Sequence, residues 1–351
     1  MKVIELASVL AGPAVGMFFA ELGAEVIKIE NSKTGGDVTR TWRLPSEEKN
    51  TPISAYYASV NWNKQVLFLD LTQETDRKKL YGLVADADVV IANYRAASAI
   101  KLGVDFETMK AINPKIIYGN ITGFGEESER VAFDVVLQAE SGFMFMNGQA
   151  DGPATKMPVA LIDVLAAHQL KEGLLYALWQ REKSGRGAYV SVSLLEAALS
   201  SLANQATNWL MAGHIPARMG SLHPNIAPYG EIFESADKKL LVLAIGNDNQ
   251  FAQLCKLLNI AELISDSRFE QNQQRVENRQ SLEQFLQLAF SKLTAAYLLD
   301  ESLKFAIPIG QIRNMKEVFE LNEANAMILE EQNEGQLSKR MSSIAFEIKK
   351  S

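Results

Sequence analysis

Residues 1–31, MKVIELASVLAGPAVGMFFAELGAEVIKIEN, contain the pattern that decides the fold. A short apolar run, Val3–Leu6, is followed by a loop that reaches Pro13, by a helical stretch at about residues 14–22, and by a second apolar run, Glu25–Ile29. Proline at the start is typical of a helix boundary. A strand, a helix and a strand in this order predict two parallel strands joined by a crossover helix.

The same alternation continues through the first 193 residues. Further apolar runs predict strands at Val66–Leu71, Val89–Asn93, Ile116–Ile121 and Ala188–Ser193. A parallel sheet covered by helices is therefore expected, which is an α/β, Rossmann-like fold. Ligands of such sheets bind beyond the carboxyl ends of the strands. The candidate ligand loops are those after Leu6, Ile29, Leu71, Asn93 and Ile121.

A second, smaller α+β domain is predicted beyond a break rich in glycine and proline at residues 213–216. The chain has 351 residues, more than one core usually serves. A strand pair at 230–233 and 240–245 precedes amphipathic helices, residues 307–310 predict a return crossing, and residues 343–348 predict a closing strand. The expected boundaries are a large domain at 1–212 completed by 318–351, a linker at 213–228, a small domain at 229–305 and a return linker at 306–317.

Composition excludes several classes of function. An apolar fraction of 47% with 22% charged residues is ordinary for a globular protein, and the net charge of −7 argues against a nucleic-acid partner. A single cysteine, Cys255, excludes a disulfide framework. His168, His214 and His223 lie far apart without metal-ligand spacing, so no metal site is expected.

The sequence also predicts a location. Glu5 interrupts what would be the apolar core of a signal peptide, and no run reaches the roughly 18 apolar residues of a membrane span. We therefore expect a cytoplasmic protein without a membrane partner.

Asp163 is the most informative residue of the chain. It opens a long apolar helical stretch that ends near Gly185. At a helix start the macrodipole and the unpaired N–H groups favour an anionic carboxylate. Aspartate is a common helix cap, and an ionised carboxylate can also act as a nucleophile. The local pattern leaves both roles open.

Two common enzyme classes fit poorly. A dinucleotide fingerprint needs glycines at three offsets, and the turn before the first helix supplies only Gly12. Cys255 lies in an amphipathic helical pattern, where a buried structural cysteine is usual. No Gly-x-Ser-x-Gly elbow occurs. A nicotinamide dehydrogenase and a serine or cysteine hydrolase are both disfavoured.

Specific short strings are distributed along nearly the whole chain. They are Val9–Pro13, Leu22–Glu30, Gly36-Asp37 with Arg40, Asn61–Lys64, Ala87–Arg95, Thr122–Gly125, Phe133–Ala139, Gly185–Gly187, His223–Tyr229 and Asp266–Phe269. In this order and spacing they resemble the class III coenzyme A transferases, the CaiB/BaiF family. That family includes formyl-CoA transferases and the related α-methylacyl-CoA racemases.

The resemblance implies a CoA transferase that uses coenzyme A as co-substrate. Asp163 stands where the family carries its nucleophilic aspartate, which would form an acyl–aspartyl anhydride and then an aspartyl-CoA thioester. The expected partners are an acyl-CoA and a small carboxylic acid. The resemblance also implies an interlocked homodimer, in which each chain threads through the other.

The resemblance implies contacts with coenzyme A as well. They come from Leu10, Ala11, Asn31, the stretch Leu69–Thr72, Asn93, Tyr94 and Lys101. Relatives often carry a base where Asn31 stands, lysine at Thr72 and arginine at Lys101. The side chains that could supply the missing positive charge are Lys33, Arg40, Lys64 and Arg95, each of which could equally be a solvated surface group.

Phe133 bears on the choice of chemistry. The racemases carry a histidine there, and phenylalanine cannot move a proton, so α-epimerisation is disfavoured. By the same resemblance Asp134 would assist near the thioester, or else cap a helix. His223 and Asn225 would line the acyl pocket or fix their own loop. A racemase and a CoA-ester-binding protein without turnover remain alternatives.

Overall fold

The computed structural model describes residues 1–333 and 335–349. It divides into two compact units. The first comprises Met1–Met144, Lys156–Pro216 and the described residues from Ala326 onward, and the second comprises Phe145–Thr155 and Ala217–Asn325. The expected C-terminal segment 318–351 lies partly outside the described residues.

The first unit is built on a six-stranded parallel sheet. Its strands are β1 (Lys2–Glu5), β2 (Glu25–Asn31), β3 (Gln65–Leu69), β4 (Val89–Ala92), β5 (Ile117–Thr122) and β6 (Ala188–Ser193). Their order in the sheet is β3-β2-β1-β4-β5-β6. Ile4 in the central strand pairs with Ile27 on one side and Val90 on the other. This order is that of a doubly wound Rossmann-like sheet, so the predicted fold is confirmed.

Helices up to residue 212 are α1 (Ala11–Glu21), α2 (Ala55–Ala58), α3 (Glu74–Val84), α4 (Ala96–Leu102), α5 (Phe106–Ile112), α6 (Asp134–Glu140), α7 (Phe143–Met146), α8 (Leu161–Ser184), α9 (Leu194–Ser200) and α10 (Ala203–Ala212). Helices α1 and α8 cover one face of the sheet, where Phe19 and Leu170 are fully buried. Helices α3 to α5 cover the other face, with Leu80 and Met109. Residues 194–212 form two helices and not one, since Ala203 has a φ of 47°.

The second unit holds an antiparallel sheet of β7 (Tyr229–Glu234), β8 (Leu240–Ala244) and β9 (Ile309–Gln311). Its helices are α11 (Asp248–Leu257), α12 (Asn272–Glu277), α13 (Arg279–Phe290), α14 (Ala295–Phe305), α15 (Met315–Val318) and α16 (Asn322–Ala326). Gly310 pairs with Val242 in this sheet. The stretch predicted as a return crossing is therefore an edge strand of the second unit.

The limits of the second unit differ from the expected boundaries. Residues 145–155 join it because Gly220 N–H donates to Gly148 O at 2.8 Å and Arg218 Nε donates to Gly152 O at 3.1 Å. The closing strand predicted at residues 343–348 is wrong. A hairpin of β10 (Ile328–Asn333) and β11 (Gln336–Met341) precedes that segment, which forms no strand in its described residues.

Residues 1–333 and 335–349 contain neither a helix suited to cross a membrane nor a side-chain cluster suited to hold a metal ion. None of the helices there combines the length and the apolar character that crossing a membrane requires. In the same residues, no group of three or more His, Cys, Asp or Glu side chains is placed to hold a metal ion.

Candidate active site

A cavity of about 510 Å³ lies at the carboxyl ends of β1, β4 and β5, within the first unit. This is where the strand order of the sheet reverses, the usual ligand position in such folds. Its walls include residues 8–11, 93–96, 120–123 and 130–134 together with Asp163. Three of the loops that the sequence marked as ligand loops therefore meet at one cavity.

Asp163 lies in the first turn of α8 but does not cap that helix. The helix begins at Leu161, and its N-cap residue is Ala160. Asp163 is only 8% exposed, and among the described residues none donates a hydrogen bond to its carboxylate. The capping role that the sequence left open is thereby excluded. The side chain is a buried acid that lines a cavity.

The environment of Asp163 favours its neutral form. Burial raises the pKa of the carboxyl from 3.8 to about 7, and the negative charge of Asp134 adds to the rise. The sequence argument that the helix start would stabilise the anion is therefore corrected. The loss of hydration on burial outweighs the favourable dipole. Near neutral pH the carboxyl is poised between its two protonation states.

Asp134 holds the start of α8 in place. Its Oδ1 atom accepts hydrogen bonds from the backbone N–H of Ile162 at 2.7 Å and of Asp163 at 3.4 Å. Gln138 Nε2 donates to the other oxygen at 2.6 Å. Asp134 is itself the first residue of α6, whose N-cap is Phe133. It therefore caps the helix that carries Asp163 and not its own.

The turn between β1 and α1 forms one wall of the cavity, together with Leu10, the N-cap of α1, and Ala11, its first residue. Asn93 braces this turn, since it accepts from Ser8 N–H at 3.2 Å and donates to Ser8 O at 2.9 Å. No side chain caps the start of α1. Its first N–H groups are thus left for a ligand or for water.

Two of the side chains proposed from the sequence to supply positive charge to coenzyme A, Lys64 and Arg40, instead form ion pairs with carboxylates inside the protein. The Lys64 side chain is 1% exposed, and its ammonium lies 2.8 Å from Glu5. Arg40 is buried, with Nε donating to Glu30 at 2.7 Å and a terminal nitrogen donating to Tyr57 Oη at 2.8 Å. Both predictions are corrected, because a buried cation that stabilises internal carboxylates cannot meet a phosphate at the surface.

Other predicted CoA contacts divide into two groups. Tyr94 and Arg95 line the cavity, whereas Asn31, Leu69, Thr72 and Lys101 are not among its lining residues. Asn31 caps a short 3₁₀ turn at residues 32–34. Lys33 Nζ donates to Thr72 Oγ1 at 2.9 Å and pairs with Asp70 at 2.8 Å, close to the end of β3. Lys33 is thus an exposed cation near the carboxyl end of β3.

The remaining predicted residues are Phe133, His223 and Asn225. Phe133 is half exposed and lines the cavity beside Asp134. His223 and Asn225 lie in the second unit, where Asn225 N–H donates to His223 Nδ1 at 3.1 Å. Arg279 donates to His223 O at 2.7 Å. These contacts fix the loop that contains both residues.

Sequence reasoning missed an aromatic wall of the cavity. Phe106, Tyr118 and Tyr189 line it, and the last two rings stack with centroids 5.7 Å apart. A signal was present, because Tyr118 and Asn120, two residues apart, place polar groups on one face of a strand that is buried, and Asn120 lies toward its carboxyl end. Polar side chains at the carboxyl end of such a strand indicate a ligand site.

Comparison with known proteins shows the family of this chain. The model of CoA-transferase family III matches residues 1–350. The chain belongs to CoA-transferase family III. The succinate–glutarate CoA-transferase of Agrobacterium fabrum is 38% identical over 325 residues, which are 91% of this chain and 80% of that protein. The acetyl-CoA:oxalate CoA-transferase of Acetobacter aceti is 35% identical over 330 residues, 93% of this chain and 83% of that protein.

A solved structure extends the likeness to the whole fold. A CaiB/BaiF family protein from Brucella suis superposes with a TM-score of 0.85 and 37% sequence identity, over 99% of this chain and 91% of that one. The resemblance in the sequence strings is thus confirmed. The protein is a CoA-transferase, and the family III enzymes use CoA thioesters as co-substrates.

Proposed function

We propose that this family III enzyme moves coenzyme A from an acyl-CoA to a small carboxylic acid through covalent intermediates on Asp163. The observation that carries the proposal is a buried carboxyl, with its pKa raised to about 7, in the wall of the cavity. Desolvation makes a carboxylate more reactive once it is ionised.

The proposed reaction exchanges acyl groups in four additions. The Asp163 carboxylate attacks the thioester carbonyl, the C–S bond breaks, and CoA leaves as a thiolate from a mixed anhydride. The thiolate then attacks the aspartyl carbonyl and releases the donor acid, leaving an aspartyl-CoA thioester. The acceptor carboxylate attacks that thioester and forms a second anhydride. The thiolate finally attacks the acceptor carbonyl, and the Asp163 carboxylate is regenerated.

The cavity supports these steps in two ways. No side chain caps the start of α1, and Ala11 there lines the cavity, so its backbone N–H would stabilise an oxyanion. One such donor is typically worth about 2.7–4 kcal/mol in the transition state. Burial of Asp163 limits the access of water, which would hydrolyse an anhydride.

The acceptor in our proposal is a dicarboxylic acid. Two relatives are named for succinate, glutarate and oxalate, all of which carry two carboxyl groups. Arg95 and Arg130 line the same cavity as Asp163, and both are exposed, with the exposed partners Glu129 and Glu140. An acid whose far carboxylate replaces one of these partners would gain a charge-assisted hydrogen bond.

A homodimer and a cytoplasmic location remain proposals. The first unit exposes large apolar side chains on α8 and α10, including Trp179, Trp209, Leu210 and Met211. Such side chains are typical of a surface that a partner covers. We expect light scattering after gel filtration to give twice the mass of the chain, and a monomer at micromolar concentration would contradict the dimer.

Trapping with hydroxylamine tests the proposed chemistry. Incubation with succinyl-CoA and hydroxylamine should convert Asp163 to a hydroxamate, which peptide mass spectrometry detects. An unmodified Asp163 in a protein that binds CoA would favour the binding module. Exchange of the α-hydrogen of 2-methylacyl-CoA in D₂O without an acceptor acid would favour the racemase, against which Phe133 argues.

A further inference from the structure

The turn between β1 and α1 contains a strained residue. Val9 has a φ of 74°, in the left-handed region that a β-branched side chain rarely adopts. Residues of this kind are strained and persist only where neighbouring contacts hold them. Val9 lines the cavity, next to Leu10 and Ala11. A contact that stabilises this conformation therefore shapes the cavity wall.

Asp37 makes that contact. The backbone N–H of Val9 donates to Asp37 Oδ2 at 3.1 Å and lies 3.4 Å from Oδ1. The same carboxylate accepts from Thr39 N–H at 3.0 Å and from Thr39 Oγ1 at 2.8 Å. Asp37 is buried, so these contacts face little competition from water.

A buried set of charges holds the turn on both sides of Val9. Lys28 Nζ lies 3.2 Å from Asp37 and 2.8 Å from Glu5, and it donates to Ala7 O at 2.8 Å. Lys64 Nζ lies 2.8 Å from Glu5 and donates to Pro13 O at 2.8 Å. The Lys28 ammonium, the Asp37 carboxylate and the Lys64 ammonium thus contact the chain before, at and after the strained residue, and Glu5 pairs with both ammonium groups.

The residue before Asp37 explains how the carboxylate is itself held. Gly36 has a φ of 98°, and a Cβ atom there would lie 2.2 Å from Glu30 Oε2. That oxygen accepts from Asp37 N–H at 3.0 Å. Glycine at position 36 therefore allows Glu30 to fix the backbone of Asp37.

We propose that Asp37 is a positioning residue for the active site. It holds Val9 in the left-handed conformation and so sets the direction in which the first N–H groups of α1 face the cavity. This inference rests on the proposed function, in which the cavity binds acyl-CoA. It adds a residue that touches no substrate but determines how well the substrate is bound.

Asp37→Asn is the first test variant. It keeps the size of the side chain but removes the charge that holds Lys28 and Val9 N–H together. We expect the KM for acyl-CoA to rise about tenfold, with a smaller change in kcat. An unchanged KM in a folded variant would overturn the proposal. If Asp37→Asn does not fold, Asp37→Ser replaces it, because serine still caps Thr39 N–H but is too short to reach Val9.

The decisive step repeats the substitution in a Val9→Gly background. Glycine adopts a positive φ without cost, so Val9→Gly removes the need for the contact. The Asp37→Asn effect on KM should then fall to threefold or less. A tenfold loss in both backgrounds would show that Asp37 acts in another way and would overturn the proposal.

Two controls separate this inference from the proposed function. Asp237→Asn alters a carboxylate in the second unit that likewise accepts from a hydroxyl, Ser235 Oγ at 2.7 Å, and a backbone N–H, Ala295 at 2.8 Å. It should leave the KM unchanged. The same series is measured as the Kd for CoA by calorimetry. A wild type without transferase activity refutes the proposed function, while the pattern of Kd values still tests Asp37.

Discussion

Asp37 and Asp163 are both buried in the first unit, yet their environments shift the pKa of the two carboxyl groups in opposite directions. Burial alone would raise the pKa of Asp37, but the Lys28 ammonium and the donors of Thr39 outweigh it and hold the pKa below its usual value. Asp163 has the Asp134 carboxylate as its charged neighbour, so burial raises its pKa to about 7. Burial acts to raise the pKa of both acids, and the difference between them thus comes from their charged and hydrogen-bonding partners.

The two carboxyl groups also differ in their contacts. Asp37 is fully paired and holds backbone, so it serves as structure. Asp163 has no donor among the described residues and lines a cavity, so we expect its carboxyl to be available to a substrate. Each prediction below tests this contrast, beginning with the largest expected effect.

Asp163→Ala should abolish CoA transfer, by at least about 10⁴-fold in kcat, because no other group replaces a nucleophile. The affinity for CoA should stay within about threefold of wild type. Steady-state assays and calorimetry measure the two quantities. Retained transfer would refute the role of Asp163, and lost CoA binding would indicate a structural one.

Asp163→Asn should stabilise the protein at pH 8. The folded pKa of Asp163 lies above the unfolded value of about 3.8, so its ionisation costs stability as the pH rises from about 4 to about 7. The gain on substitution should approach about 4 kcal/mol at most at pH 8 and vanish near pH 4. Urea unfolding at both pH values measures it. An equal effect at pH 4 and pH 8 would contradict the raised pKa.

The rate of transfer should depend on pH through the same group. Below a pH of about 7 the neutral Asp163 accumulates, so kcat/KM should fall about 25-fold from pH 7.5 to 5.5 and approach a tenfold fall per pH unit at lower pH. Initial rates across this range measure the effect. A flat profile would mean that Asp163 is already ionised in the free enzyme.

Asp134→Asn should produce the smallest effect, a shift of this profile to lower pH by less than about one unit. The amide keeps an acceptor for Ile162 N–H but removes the charge that raises the pKa of Asp163. The midpoint of the pH–rate profile is the readout. A shift to higher pH would show that Asp134 does not act through its charge.

Local patterns in the sequence were sufficient to predict the parallel sheet and the position of Asp163. Strand runs and helix boundaries depend on neighbouring residues, so the positions of β1 to β6 along the chain could be predicted. The roles of Lys64 and Arg40 could not. Whether a cationic side chain is buried depends on distant partners, here Glu5 for Lys64 and Glu30 for Arg40, and no local pattern shows them.

The raised pKa of Asp163 could not be predicted from the sequence for the same reason. A helix start favours an anion, but the burial of the side chain and the charge of Asp134 come from tertiary structure. The sequence did contain one sign of the buried charges, because Glu5 and Lys28 interrupt two apolar strand runs. The structure pairs these two residues in register. Charges inside such strands indicate buried ion pairs.

Oxygen transfer tests the central claim most directly. When an acceptor acid labelled with ¹⁸O in its carboxyl group attacks the aspartyl-CoA thioester, its oxygen becomes the bridge of the anhydride. That oxygen stays on Asp163 when the thiolate attacks the acceptor carbonyl. We predict that the peptide containing Asp163 gains ¹⁸O only when labelled acid and acyl-CoA are both present. Transfer of CoA with no label on Asp163 would contradict the account.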